Sequence, residues 1–284
     1  MSVKIRFTTL SENTASYGFL AEWGLSILVE VDGLSILFDT GPSPNIANNA
    51  RLAGIDLTKI DYIVLSHGHA DHTGGLREVL QAGKGVDVIA HPDIWAAKYV
   101  RRDDERSEQY IGIPFTRQEL EGWGAKFRLT KEPYRISEYV FTSGEIPMVS
   151  SYERVDDDLL VKDGALRQDP MTDDLSLVID TDFGLVVVMG CAHRGIINTL
   201  RQAQRITGKE QVFAAIGGTH LFQASEERIT KTIAELKTMG VQKLGLSHCT
   251  GFHASARLAL EFGLGFFPNN AGTQFFLPTK GDDT

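Results

Sequence analysis

The chain has 284 residues, 28 Lys or Arg against 37 Asp or Glu for a net charge of −9, 42% hydrophobic residues and two cysteines. An apolar content near the globular norm without biased tracts excludes disorder and fibres, and two cysteines cannot frame a disulfide scaffold. No run approaches the roughly 20 apolar residues of a membrane span, and the start, MSVKIRFTTLSEN, lacks an apolar signal core, so one cytoplasmic domain spanning 1–284 is expected. With no basic cluster larger than Arg101-Arg102, the acidic balance argues against nucleic acid or a membrane surface and for a small-molecule partner.

The first 65 residues read as strands. LSILVEV and LSILFDT flank Asp32-Gly33, a hairpin signal that places a hairpin over 25–40. A helix is expected in PNIANNARLAGI, and DYIVLS has the apolar continuity of a strand buried on both faces. GGLREVLQAG reads as a helix closed by Gly83, and VDVIAH as another buried strand. The polar stretch 92–135 reads as an insertion or lid. Strands EYVFTSG, SLVIDT and LVVVMG follow, then a helix from Arg194 to about Thr207, the strand QVFAAIGG, a helix over 225–239 and the strand KLGLSHC. The order is that of a layered α/β fold whose second half repeats the architecture of the first.

Chemistry concentrates in Ser66-His67-Gly68-His69-Ala70-Asp71-His72-Thr73-Gly74-Gly75, directly after DYIVLS. Three histidines and a carboxylate within six residues supply imidazole and oxygen ligands for divalent metal. His67 and His69, two apart, point to one side, whereas Asp71 and His72 open the next helix and face a neighbouring point, so two adjacent metals are implied. Gly68 permits the turn without a clashing Cβ, and Gly74-Gly75 permits close backbone approach.

FDTG at 38–41, IDYIVLSHGHADHTGGL at 60–76, MGCAH at 189–193 and LSHC at 246–249 together resemble the metallo-β-lactamase superfamily along nearly the whole chain. Within it, ENTASYGFLAEWGLSILVE, GCAHRGIINT and LSHCTGFHA are similar to the group named for 7,8-dihydropterin-6-yl-methyl-4-(β-D-ribofuranosyl)aminobenzene 5′-phosphate synthase. The resemblance implies an αββα sandwich of two mixed sheets with helices outside and a dinuclear site at one edge. It implies His67 and His69 on the first metal, and Asp71, His72 and His248 on the second. The middle of the pattern departs: the usual histidine before SLVIDT is missing, Asp173-Asp174 stand near it, and Cys191 occupies the bridging aspartate's position. His193 is read as the replacement histidine, and Cys191 as a bridging thiolate or a small buried hydrophobe.

Asp39 is expected to orient a ligating imidazole, as a carboxylate behind a metal-bound histidine does. His220, after Gly217-Gly218, is read as a proton donor or substrate contact, His91 and Arg194 as substrate-binding, Cys249 as a packing residue pointing away from His248, and His253 as a surface residue. The Phe-rich end, GLGFFPNNAGTQFF, is expected to shape a pocket for a flat or apolar group. The expected activity is metal-dependent hydrolysis of an ester, phosphoester or lactone-like substrate, with Asp71 orienting water and His220 protonating the leaving group. Zinc is the first choice of metal, and manganese and iron suit the same ligands. The synthase reaction, a di-iron oxidoreductase and a non-catalytic metal or ligand sensor are the competing readings.

Overall fold

The computed structural model describes residues 4–101 and 107–277; Arg102 lies outside them. Alternation dictates the layering. In Ser26–Val31, Ile27, Val29 and Val31 point to one side and Leu28 to the other, so the strand carries two apolar faces and needs cover on both. Seven strands form the first sheet, in the spatial order Gln274–Leu277, Ile5–Ser11, Ser26–Val31, Leu34–Phe38, Tyr62–Val64, Val86–Ala90 and Ala125–Leu129. It is antiparallel as far as the Asp32-Gly33 hairpin, whose turn residues both have positive φ, and parallel beyond. The second sheet runs Lys243–Leu246, Val212–Gly217, Gly184–Met189, Ser176–Thr181 and Val140–Thr142, with parallel and antiparallel pairs.

The sheets face each other across Phe7, Phe38, Val64 and Ile89 on one side and Leu177, Val186, Val188 and Ile216 on the other. Helices cover the outer faces. Ile46 and Ala50 of Asn45–Leu52 and Leu76, Val79 and Leu80 of Leu76–Ala82 pack on the first sheet. Ile196–Thr207, Glu226–Thr238 and Phe252–Phe262 pack on the second through Ile197, Leu200, Ile233, Leu236 and Leu258. The fold is thus the expected αββα sandwich.

Segment 92–135 divides into two parts, which composition alone does not separate. Ala97–Arg101 and Glu108–Tyr110 join Leu159–Asp163 and Ala165–Gln168 in a small antiparallel sheet, whereas Ala125–Leu129 is the edge strand of the first sheet. Alternating lysine and arginine in AKFRL give an edge strand the polar look of an insertion. Among the described residues, no helix is long and apolar enough to cross a membrane.

Candidate metal centre

Both sheets deliver polar side chains to one edge of the sandwich. Tyr62–Val64 ends just before His67, Gly184–Met189 just before Cys191 and His193, Val212–Gly217 before His220, and Lys243–Leu246 before His248. Asp71 and His72 lie in the one-turn helix Ala70–Thr73. The spacing reading of the glycines holds: a Cβ on Gly68 would meet the Ile94 carbonyl oxygen at 2.4 Å, and one on Gly75 that of Thr40 at 2.2 Å. Among the described residues, four of the six non-glycine residues with positive φ, Asp39, Ala192, His220 and His248 (58°, 48°, 49° and 55°), gather here in a costly conformation.

The donor atoms converge in overlapping groups whose members lie within 4.8 Å of one another: His67, His69 and His193; Asp71, His72 and His248; and Cys191 with His67 and His72. His67 Nε2 is 3.0 Å from His69 Nδ1 and 3.3 Å from His193 Nε2. His72 Nε2 is 3.2 Å from Cys191 Sγ, and Asp71 Oδ2 is 3.4 Å from His248 Nε2.

The outward hydrogen bonds decide which ring nitrogens carry lone pairs inward. Asp39 accepts from Ser66 N and Ser66 Oγ, both at 2.7 Å. Having given its only proton to Asp39, the Ser66 hydroxyl must accept from His67 Nδ1 at 2.8 Å, which leaves a lone pair on His67 Nε2. His72 Nδ1 donates to Asp39 Oδ2 at 2.7 Å. His248 Nδ1 donates to Asn13 Oδ1 at 2.9 Å, since the Asn13 amide donates to the His248 carbonyl, and His248 Nε2 is buried without a hydrogen-bond partner. Imidazoles so fixed have the tautomer a metal ligand needs.

Electrostatics divide the site in two. Burial first, then the neighbouring imidazoles or Lys98, hold His67, His69 and His193 well below the usual histidine range, so they stay neutral and keep their lone pairs. Burial also opposes charge on His72, but Asp71 and then Asp39 overcome it and push His72 up to about 9. Burial opposes ionisation of Asp71 as well, yet His72 and His248 hold it well below the ordinary carboxylate range. A neutral imidazole triad thus stands beside ionised Asp71 and a His72 imidazolium that balances it, and a cation bound at His72 Nε2 would displace that proton. These donors fit divalent cations, by their convergence, their chemistry and the orphaned His248 nitrogen.

The structure brings together every residue expected on a metal, together with Asp39 and His220. His220 sits with its ring 4.2 Å from that of His193, and its Nε2 is 3.0 Å from Asp156 Oδ2. Burial lowers the His220 pKa, but Asp156 and Cys249 raise it further, to about 10.

Other expected contacts lie elsewhere. His91 caps a 3-10 turn, its Nδ1 accepting from Asp93 N and its Nε2 held by Glu145. The Arg194 guanidinium is committed to the carbonyls of Ile146 and Pro170. Asp173 and Asp174 accept from the backbone of Gly68 and Arg194 and, among the described residues, join no ligand group. His253 is on the surface, paired with Glu226.

Cys249 departs from expectation. The strand ends at Leu246 and a 3-10 turn covers His248–Thr250, so strand alternation no longer applies and Cys249 Sγ falls in one group with Cys191 and His248. The C-terminal phenylalanines also differ: Phe267 stacks on Phe275 at 4.7 Å against the inter-sheet core. The exposed aromatics beside the site are instead Trp23, 5.1 Å from the His248 ring, and Phe222, 5.2 Å from that of His220. Sequence reading missed Ser66, Asn13 and Asp156 as the groups orienting His67, His248 and His220. Ser66 alone carried a signal, as the residue at the strand end next to a ligand; the other two come from distant loops.

Residues 24–194 match the family model of the metallo-beta-lactamase superfamily, and the chain belongs to that superfamily, whose members generally bind divalent metals such as zinc. It is similar to the 7,8-dihydropterin-6-methyl-4-(beta-D-ribofuranosyl)-aminobenzene-5'-phosphate synthase of Methanocaldococcus jannaschii, at 34% identity over 94% of this chain and 95% of that protein. An uncharacterised protein of the same organism is 33% identical over 88% of this chain and 92% of its own length. Among solved structures, Tm1679, a metal-dependent hydrolase of the beta-lactamase superfamily, superposes with a TM-score of 0.82 at 31% identity, covering 95% of this chain and 98% of that one.

Proposed function

We propose that this enzyme is a metal-dependent hydrolase with a dinuclear centre, acting on an ester, phosphoester or lactone-like small molecule. His67, His69 and His193 would hold one ion, and Asp71, His72 and His248 the other, with Cys191 as a further ligand and zinc as the metal. The observation that carries the reading is the set of outward hydrogen bonds that the imidazoles donate to Ser66, Asp39 and Asn13, which turn the Nε2 atoms of His67, His72 and His248 into one space. Divalent ions held there would supply polarisation of a carbonyl or phosphoryl oxygen and would bring the pKa of water toward neutrality.

The chain's own groups supply the rest. Asp71 stays ionised and orients water. His220, held at Nε2 by Asp156, carries a proton at Nδ1, an atom that is buried without a partner and belongs to the ring packed on His193. That proton is placed for the leaving group. Similarity to the Methanocaldococcus jannaschii synthase along 94% of the chain supports a second reading, group transfer to or from a pterin-like substrate on the same centre.

The test is metal content per chain, with turnover of phosphodiester, ester and lactone reporters before and after chelation. Two metals per chain and turnover lost on chelation and recovered with zinc are expected. Because metal at 100 times its dissociation constant stabilises by about 2.7 kcal/mol, chelation should also lower Tm by roughly 5–10 °C. A fully metallated chain with no turnover would refute hydrolysis.

A further inference from the structure

Lys98 is 1% exposed in side chain, so its charge, which helps keep His69 neutral, does not serve solubility. Its ammonium is 2.7 Å from Asp169 Oδ2 and 2.8 Å from Asp173 Oδ1, so a complete ion triad is buried beneath the motif. Such a triad is poor evidence for stability, since burying it costs about as much as the pairing returns; a positional role is the better-attested use. Its position is informative. The second oxygen of Asp173 accepts from Gly68 N at 2.8 Å, the amide between His67 and His69. Lys98 Cε lies 3.3 Å from where a Gly68 Cβ would stand, so the lysine packs on the same turn it anchors through Asp173. The main chain repeats the link, as Ile111 N donates to Lys98 O and Ala70 N donates to Ile111 O.

The geometry points to Lys98 and Asp173 as positioning residues that set the His67-Gly68-His69 turn for the first metal, making the small sheet a brace for the metal centre. This rests on the metal reading above. Lys98 fixes the carboxylate of Asp173, the carboxylate fixes the Gly68 amide, and the amide fixes the directions in which two ligating side chains leave the backbone. Asp169 grips the same ammonium but touches nothing in the motif; its other oxygen accepts from Met171 N.

Asp173→Asn and Asp169→Asn therefore make the same charge change at the same lysine, and only the first reaches Gly68. In Asp173→Asn, the new side-chain nitrogen cannot accept from Lys98 while the remaining oxygen serves Gly68. Each variant is loaded with cobalt(II), and ligand-field absorption, cobalt affinity by chelator competition and Tm are measured. Asp173→Asn should weaken cobalt binding about 10–100-fold and shift the spectrum, the usual size of an effect beyond the ligands. Asp169→Asn should keep the wild-type spectrum and affinity even where its Tm falls. Wild-type behaviour of Asp173→Asn, or equal losses in both variants, would overturn the proposal. A wild-type chain that takes up no cobalt would overturn the metal reading, and the brace with it.

Discussion

Replacing Asp39 with Asn isolates the orienting role of one buried carboxylate. Asp39 is fully buried and accepts three hydrogen bonds at 2.7 Å, from Ser66 N, Ser66 Oγ and His72 Nδ1. Its φ of +58° is one that Asn adopts readily, so the backbone should be undisturbed. The Asn oxygen must serve the Ser66 amide, which turns the NH₂ toward the two donors that shared Oδ2. His72 can then no longer donate from Nδ1, so the proton it retains sits on Nε2, the atom that faces Cys191 and Asp71 and that a metal would need. A change of this kind weakens metal binding about 10–100-fold, or about 1.4–2.7 kcal/mol. Loss of the charge-assisted hydrogen bonds from His72 Nδ1 and Ser66 Oγ should separately cost the metal-free protein at least about 1.5–3 kcal/mol. Chelator competition reads the first quantity and urea denaturation of metal-free protein the second. An Asp39→Asn chain that binds metal like wild type would refute the tautomer argument, whatever its stability.

Gly190→Ala should disturb the same network from the second sheet: its Cβ would stand 2.1 Å from Ser66 Oγ and 3.1 Å from Asp39 Oδ2, so a loss of about 1–3 kcal/mol in unfolding free energy is expected together with weaker metal binding. Asp156→Asn removes the partner that most raises the His220 pKa, so the alkaline limb of kcat should move to lower pH; an unmoved limb would refute His220 as the proton donor. The sign for stability follows from the same shift. With a folded pKa above the unfolded value near 6.5, His220 contributes in full below about pH 6.5 and loses its contribution as pH rises through about 10, so wild type and Asp156→Asn should converge in stability toward high pH.

Local features of the sequence determined much of this protein. Asp32-Gly33 makes its hairpin because both turn residues can take positive φ, and DYIVLS lies between two apolar layers because it has no polar face to show water. His67, His69, Asp71 and His72 were legible because a six-residue motif carries its own geometry through a turn into a helix. His193 and His248 were legible as strand-end residues, the first because it stands two residues past the position where the family pattern departs. Tertiary structure decided what several segments meet to make. Cys249 turned inward because a 3-10 turn replaced strand alternation after Leu246, and AKFRL became an edge strand because pairing with Val86–Ala90 outweighs its polar pattern. The partners that orient the imidazoles are close to them only in space: Asp39 is 33 residues from His72, and Asn13 is 235 from His248. Lys98 and Asp173, 75 residues apart, likewise meet only when the small sheet docks under the motif. Hydrogen-bond direction depends on which groups face each other after packing, and periodicity and spacing record which way a side chain leaves its own backbone, not what it will find there.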